Sequence, residues 1–342
     1  MSSQTPSTPR QPFKEILPTT GPSTSDQPPE AARVHPDFSD EDTDIVLCSQ
    51  EGIHFRVHSI ILKVTSGWFR TLFTLPQSPT PTLESSSSTA GTSSDKPPTS
   101  SSQRYKEKEV IPMNESSEIL EVLLSMVCGK EIPVQRLHTI DFIEDLLQVV
   151  EKYDMPGAAS IVRLALSLTL IRTHPIRVYA IACRWGWADV AKAASSHTLH
   201  MDLLGPEVMQ ELAHVGSAHL ARLMALHRRR RDQLRRELDS TDLFYANVVP
   251  GKCTGCNTDI NHARWHALKY AWVAMLEEQP VLVAEKDLLE RAELWEVLES
   301  KCPRCQKSLY NAESTLHNLR SILEKLPTTV EVSRQSTKTG FI

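Results

Sequence analysis

The chain has 342 residues, and its 37 Lys and Arg against 42 Asp and Glu leave a formal net charge of -5. That balance excludes a globally basic nucleic-acid binder, though not a local basic patch. Hydrophobic residues make up 40%, below the roughly 45–50% usual for globular chains, and the length allows about two domains. The first 22 residues hold no apolar run of the kind a secretory signal needs. The most apolar stretch, Leu164 to Ile171, is far short of the roughly 20 residues that cross a bilayer. With seven cysteines and no export signal, the expectation is a soluble cytoplasmic or nuclear protein whose thiols are reduced or bound to metal.

Thirteen of the 22 prolines fall within the first 98 residues. Between Ser78 and Gln103, 19 of 26 residues are Ser, Thr or Pro, too few apolar groups to offset the entropy of ordering the backbone. The expectation is a disordered N-terminal tail over 1–41 and a disordered insertion at about 77–105, inside a domain because patterned sequence flanks it. A longer surface loop adds only slowly to the closure entropy.

Ile45, Val46 and Leu47, then Gly52, then Phe55 and Val57 alternating with polar residues, predict two strands joined by a hairpin. Ile60, Ile61, Leu62 and Val64 predict a helical turn, and Trp68, Phe69, Leu72 and Phe73 a second short helix stopped by Pro76. Val110 and Ile111 predict a returning strand. Ile119 to Val127 predicts a helix capped by Gly129. A further helix is expected from Asp141, paired with Glu144 as a cap, burying Phe142, Ile143, Leu146, Leu147, Val149, Val150 and Tyr153 and ending at Pro156 and Gly157. From Ala158 to about Leu238 the pattern is helical, broken at His174-Pro175, Gly186, Gly205-Pro206 and Gly216.

Asp44-Ile45-Val46-Leu47, Phe55-Arg56-Val57-His58, Ile61-Leu62, Ser66, Trp68-Phe69 and Phe73 resemble the BTB/POZ domain. The likeness continues through Leu120 to Leu124, Cys128-Gly129, Asp145-Leu146-Leu147 and Glu151 to Met155, and is nearest to the BTB proteins numerous in mushroom-forming fungi. It covers about residues 42 to 167, departing at Trp68, where the family more often has Phe, and at the insertion. The resemblance implies an α+β BTB/POZ domain, a helical cluster flanked by a small sheet, that commonly self-associates and has no catalytic site. A mostly α-helical C-terminal region would follow over 168–326, then a flexible tail over 327–342. In the family pattern Asp44 and His58 stabilise helix–strand junctions rather than forming an acid–base pair. Trp68, Phe69, Leu72 and Phe73 are expected in the core first, with a partner-facing role for some of them as the alternative.

Cys253-Thr-Gly-Cys256 and Cys302-Pro-Arg-Cys305 are two CxxC pairs, each a turn that aims two thiolates at one ion. Together they make the four-ligand set of a structural zinc site. The 45 residues between the pairs exceed the roughly 15–20 of a compact ribbon. A helical hairpin would close that gap, with Trp265, Leu268, Trp272 and Met275 on one face and Leu288, Leu289, Ala292, Trp295 and Leu298 on another. Free neighbouring thiols and a redox pair are the competing readings, and His262 or His266 is a substitute for one thiol. Paired cysteines around a Trp-bearing helical segment also resemble the C-terminal region of the same fungal proteins. Cys48, Cys128 and Cys183 are expected in the core.

Arg228, Arg229, Arg230 and Arg231 point all round a helix axis, which suits a solvated helix end or a nuclear-import run better than a groove-reading face. No phosphate-binding glycine loop, nucleophile elbow or HExxH is present. The expectation is a non-enzymatic, homodimeric adaptor or scaffold that recruits a protein client; family analogy permits a cullin-type ubiquitin ligase as partner. The alternative is a nuclear regulator contacting nucleic acid or chromatin through the Arg run and the zinc-bearing region.

Overall fold

A computed structural model describes residues 33–75, 109–248, 251–278 and 286–331. The expected tail up to residue 32, the Ser/Pro-rich insertion and residues 332–342 lie outside the described residues. The class is mixed α+β, with one small sheet and a predominance of helix.

The expected hairpin forms from β2 (Ile45–Cys48) and β3 (Ile53–Val57), paired antiparallel with Leu47 opposite Phe55. Gly52 turns it at φ 78°, a conformation open to glycine at little cost. The returning strand β4 (Glu109–Pro112) lies parallel to β2, and β1 (Arg33–Val34) lies parallel to β3, giving the order β1-β3-β2-β4. Between β3 and β4 come α1 (Ser59–Thr65) and α2 (Gly67–Leu72). Helices α3 (Ser117–Cys128), α4 (Ile140–Lys152) and α5 (Pro156–Ala165) follow. Ser116 caps α3 by accepting from the Ile119 N–H, and Gly129 ends it in the left-handed conformation at φ 69°.

Three expectations are corrected here. Part of the stretch expected as tail is packed: Arg33–Val34 extends the sheet, and Phe38 is buried against Phe55 at a centroid distance of 5.4 Å. Asp141 and Glu144 do not cap α4, because Thr139 holds the N-cap position; both carboxylates bind Arg177 of α6 (Pro175–Arg184), at 2.8 and 2.6 Å. Pro156 does not merely stop a helix but begins the next at N1, where its missing N–H costs nothing.

The helical region keeps the expected breaks, with α6, α7 (Ala188–Thr198), α8 (Pro206–Leu212) and α9 (Ser217–Leu238). A π-helical stretch at Leu166–Leu170 continues α5. The cores divide elsewhere than at residue 167. One runs from Phe38 to Leu226 of α9, and the second contains Leu234 and Leu238 of the same helix. The second core is completed by α10 (Ala263–Glu278), α11 (Lys286–Glu290), α12 (Ala292–Leu298) and α13 (Ala312–Lys325).

Trp265, Leu268 and Trp272 are buried in the second core as expected, joined by Leu276. On α12 the buried face is Leu294, Val297 and Leu298, whereas Trp295 is 42% exposed because Arg291 resets the helix start. Cys48, Cys128 and Cys183 are half-buried rather than core. Residues 327–331, expected in a flexible tail, return to the first core: Val330 is buried there and its N–H donates to the buried Ser195 hydroxyl at 3.0 Å. Among the described residues no helix is long and apolar enough to cross a membrane.

Ser66 ties the motif region to the helical cluster. Wholly buried, it accepts from the Phe69 N–H at 3.1 Å to cap α2 and donates to the Tyr153 carbonyl at 2.5 Å. Ser66→Ala strands both groups in the core and is expected to cost roughly 1–3 kcal/mol. Urea unfolding should show a lower midpoint at unchanged slope.

Candidate metal centre

Each CxxC pair sits in its own small turn, and the two turns are built alike. In the first, the Cys253 N–H donates to the Thr258 carbonyl at 2.8 Å and the Asn257 N–H to the Cys253 carbonyl at 2.9 Å. In the second, the Cys302 N–H donates to the Lys307 carbonyl at 2.8 Å and the Gln306 N–H to the Cys302 carbonyl at 2.9 Å. Asn257 at φ 56° and Gln306 at φ 58° occupy matching left-handed positions, and the bridges Lys252 to Asp259 and Lys301 to Ser308 close the two loops. The left-handed residue after the second cysteine turns the chain back under the sulfurs, leaving both thiols on the outside of the bend. Asn tolerates that conformation readily; Gln does so less well.

The turns face each other. Cys253 Sγ lies 3.6 Å from Cys305 Sγ, Cys256 Sγ lies 3.7 Å from Cys302 Sγ, and all four sulfurs fall within 4.8 Å of one another. Four sulfurs at about 2.3 Å from a central zinc ion stand about 3.8 Å apart in a tetrahedron, so the cluster is compatible with a zinc site. These separations are far from the roughly 2 Å of a disulfide, and all seven cysteines are reduced. The histidine substitute is corrected: the cluster is four sulfurs, and His262 instead bonds Tyr310 through Nδ1 at 2.9 Å.

The bridge across 45 residues is made by the second core. α10 leaves the first turn through Trp265, α12 enters the second through Leu298, and α13 leaves it, with Asn311 capping α13 by accepting from the Ser314 N–H. Cys253 and Cys302 are buried while Cys256 and Cys305 are half-buried. The Thr258 hydroxyl and N–H pull the Cys256 thiol down to about 6, and the Gly255 N–H draws Cys253 down. At Cys305 the Lys307 N–H acts in the same direction, but burial and the other three sulfurs together outweigh it and push the thiol up to about 11. Four thiolates cannot gather in so small a volume unless a cation sits among them. Lys252, Lys301, Arg304 and Lys307 supply positive charge from the loops themselves, and Arg304 donates to the Thr258 hydroxyl at 3.3 Å.

The other anticipated residues separate into interior and surface. Phe55, Val57, Leu62, Ser66 and Phe69 are buried and Phe73 is half-buried, so they serve the core. Asp44 accepts from both the N–H and the hydroxyl of Ser59 at 2.7 and 2.5 Å, holding the start of α1 against β2. Burial raises its carboxyl and those two bonds more than offset this, leaving it below the usual range. His58 precedes α1 without capping it through its side chain. Trp68 is 38% exposed and stands edge-on to Phe69 and Tyr153. The outward placement of Ile60 and Val64 was missed; four apolar residues in five on a two-turn helix, more than one buried face holds, was the available signal.

The Arg run is engaged in contacts within the chain, three of them at the surface. Arg228 pairs with Asp232, Arg229 with Glu331 and Arg231 with Glu277, at 3.4, 2.9 and 2.7 Å. Arg230 is 1% exposed and donates to the Pro327 carbonyl at 3.1 Å. Burial, reinforced by Arg230, pushes the neighbouring His227 down to about 4, so it adds no charge to the run at neutral pH. Comparison of the sequence with known protein families and with curated proteins finds no match in either.

Two glycines beside the sulfurs differ in what a methyl group would meet. At Gly251 it would lie 2.6 Å from His262 Cδ2, a ring that is only 6% exposed; at Gly255 it would lie 2.5 Å from the flexible Lys307 stem. Gly251→Ala is expected to destabilise the second core by roughly 1–3 kcal/mol through overpacking, and Gly255→Ala by less than about 1 kcal/mol. Thermal unfolding of the two variants checks the order.

Proposed function

We propose that the chain is a non-enzymatic interaction protein of the BTB/POZ type, which self-associates through its N-terminal unit and presents its C-terminal region to a protein client. The observation that carries the reading is the outer face of α1 and α2. Ile60 is 63% exposed, Val64 68% and Trp68 38%, three large apolar groups left outside the core. Ile60 and Val64 share one side of α1, and Trp68 of α2 is a further exposed apolar group; such apolar surface, on a unit whose own core is closed by Leu62, Ser66 and Phe69, suits an isologous contact between two copies. A helical cluster flanked by a small sheet is what the resemblance implies, and the four-stranded sheet with α1 to α5 beside it supports that reading. Delivery of the client to a cullin-type ubiquitin ligase is the narrower form of this proposal.

The ion at the four cysteines is, in this reading, a structural zinc. Four thiolates leave no open position for water, so its role is to hold α10, α12 and α13 in one core rather than to do chemistry.

Native mass spectrometry of the full chain tests both parts. A dimer with one zinc per chain is expected. Ile60→Asp with Val64→Asp should shift it to monomer without altering zinc content, since both positions are exposed. Cys302→Ser should lose the zinc and expose α10 to α13 to protease while the first core stays resistant. A dimer indifferent to the Asp substitutions would sink the self-association surface, and a metal-free chain would remove the zinc.

A further inference from the structure

The four consecutive arginines divert attention from a different set on the same helix. Arg222, Arg229 and Arg236 recur every seven residues, which on an α-helix is nearly two full turns, so they share one face of α9. All three line a groove of about 190 Å³ whose other wall is the returning segment Pro327 to Glu331. Leu226 and Val330, both buried, form an apolar floor. Arg222 is half-buried and has no carboxylate partner among the described residues, and Arg236 donates only to the Asp232 carbonyl, at 3.3 Å. Arg229 shows what the groove accepts, because the chain's own Glu331 carboxylate rests on it at 2.9 Å.

We propose that this groove is a docking site for an extended acidic peptide segment of a protein partner. The spacing specifies the ligand further. Seven helical residues advance about 10.5 Å, and three residues of a polyproline II segment, one full turn that brings the side chain back to the same face, advance about 9.3 Å. Acidic residues at every third position of an extended segment therefore come into register with the three guanidinium groups, each of which can bind a carboxylate with two parallel hydrogen bonds. The groove is small and has buried Leu226 and Val330 in its lining, which fits one peptide segment and leaves no broad phosphate-tracking surface for a nucleic-acid duplex. Glu331 acts as an internal competitor at the central position. The assignment stands on this groove alone and does not require self-association or a metal.

The test is fluorescence anisotropy with the full-length protein at about 150 mM salt. The probe is a labelled Ser/Gly peptide carrying three glutamates at every third position, with comparators in which the glutamates are adjacent or replaced by glutamine, and a single-stranded oligonucleotide. Binding of the spaced peptide is expected, weaker for the adjacent one and absent for the glutamine one. Arg222→Ala with Arg236→Ala should weaken it about tenfold, since two charge-assisted contacts are lost. Glu331→Gln should tighten it a few-fold by freeing Arg229, a gain that a misfolded variant would not produce. No binding of the spaced peptide, equal binding of the spaced and adjacent peptides, indifference to the arginine and Glu331 substitutions, or binding of the oligonucleotide alone would overturn the assignment.

Discussion

Everything C-terminal to residue 216 hangs on one helix that belongs to two cores at once. α9 gives Leu223 and Leu226 to the first core and Leu234 and Leu238 to the second, and at about 1.5 Å per residue its 22 residues span about 33 Å. A continuous helix is stiff over that length, so the relation between the sheet-bearing unit and the four-sulfur cluster is set by backbone hydrogen bonds rather than by a linker. The segment after α13 reinforces it. Leu326 is buried in the second core and Val330 in the first, with Arg230 donating to Pro327 between them. Two crossings, one helical and one extended, resist twisting better than either alone.

Within that frame the charged residues are placed according to what burial costs. Arg230 is taken out of water with the Pro327 carbonyl receiving it, and Lys269, 5% exposed, is held by Asp239 and Asn247 at 2.7 and 2.8 Å. Glu115, also buried, receives the Tyr153 hydroxyl at 2.6 Å and Lys152 at 2.5 Å. Arginines whose position on the helix faces outward keep their charge available, which is why a run of similar residues divides into structural and surface members.

Much of this was legible from periodicity. Apolar alternation located β2 and β3, the glycine and proline breaks located the ends of α6 to α9, and cysteine spacing located the cluster. Legibility failed where tertiary contacts decide. Phe38 lies in a stretch of acids and prolines, and only its contact with Phe55 makes that stretch structural. Asp141 and Glu144 have the spacing of a cap, but Arg177, 33 residues beyond Glu144, takes both carboxylates. No local pattern distinguishes Ile60 from Leu62, since which of two neighbouring residues faces the core depends on where α1 lies against the sheet. Arg229 reads in sequence with its neighbours Arg228 to Arg231, whereas the helix groups it with Arg222 and Arg236, seven residues away on either side.

The likeness of the two cysteine turns has a consequence for the order of events as the chain is made. Each turn closes locally, through bonds spanning only a few residues, so each can form as soon as it is synthesised. Either turn alone offers two sulfurs, half of a tetrahedral set. The ligand shell is completed only when Cys305 emerges, after α10, α11 and α12 have been made, and only if those helices have already folded back. With zinc held there, as proposed, the cluster would act as a checkpoint: it would capture the ion firmly in chains whose helices have collapsed correctly, and a chain that has paired them wrongly would be left with two weak half-sites.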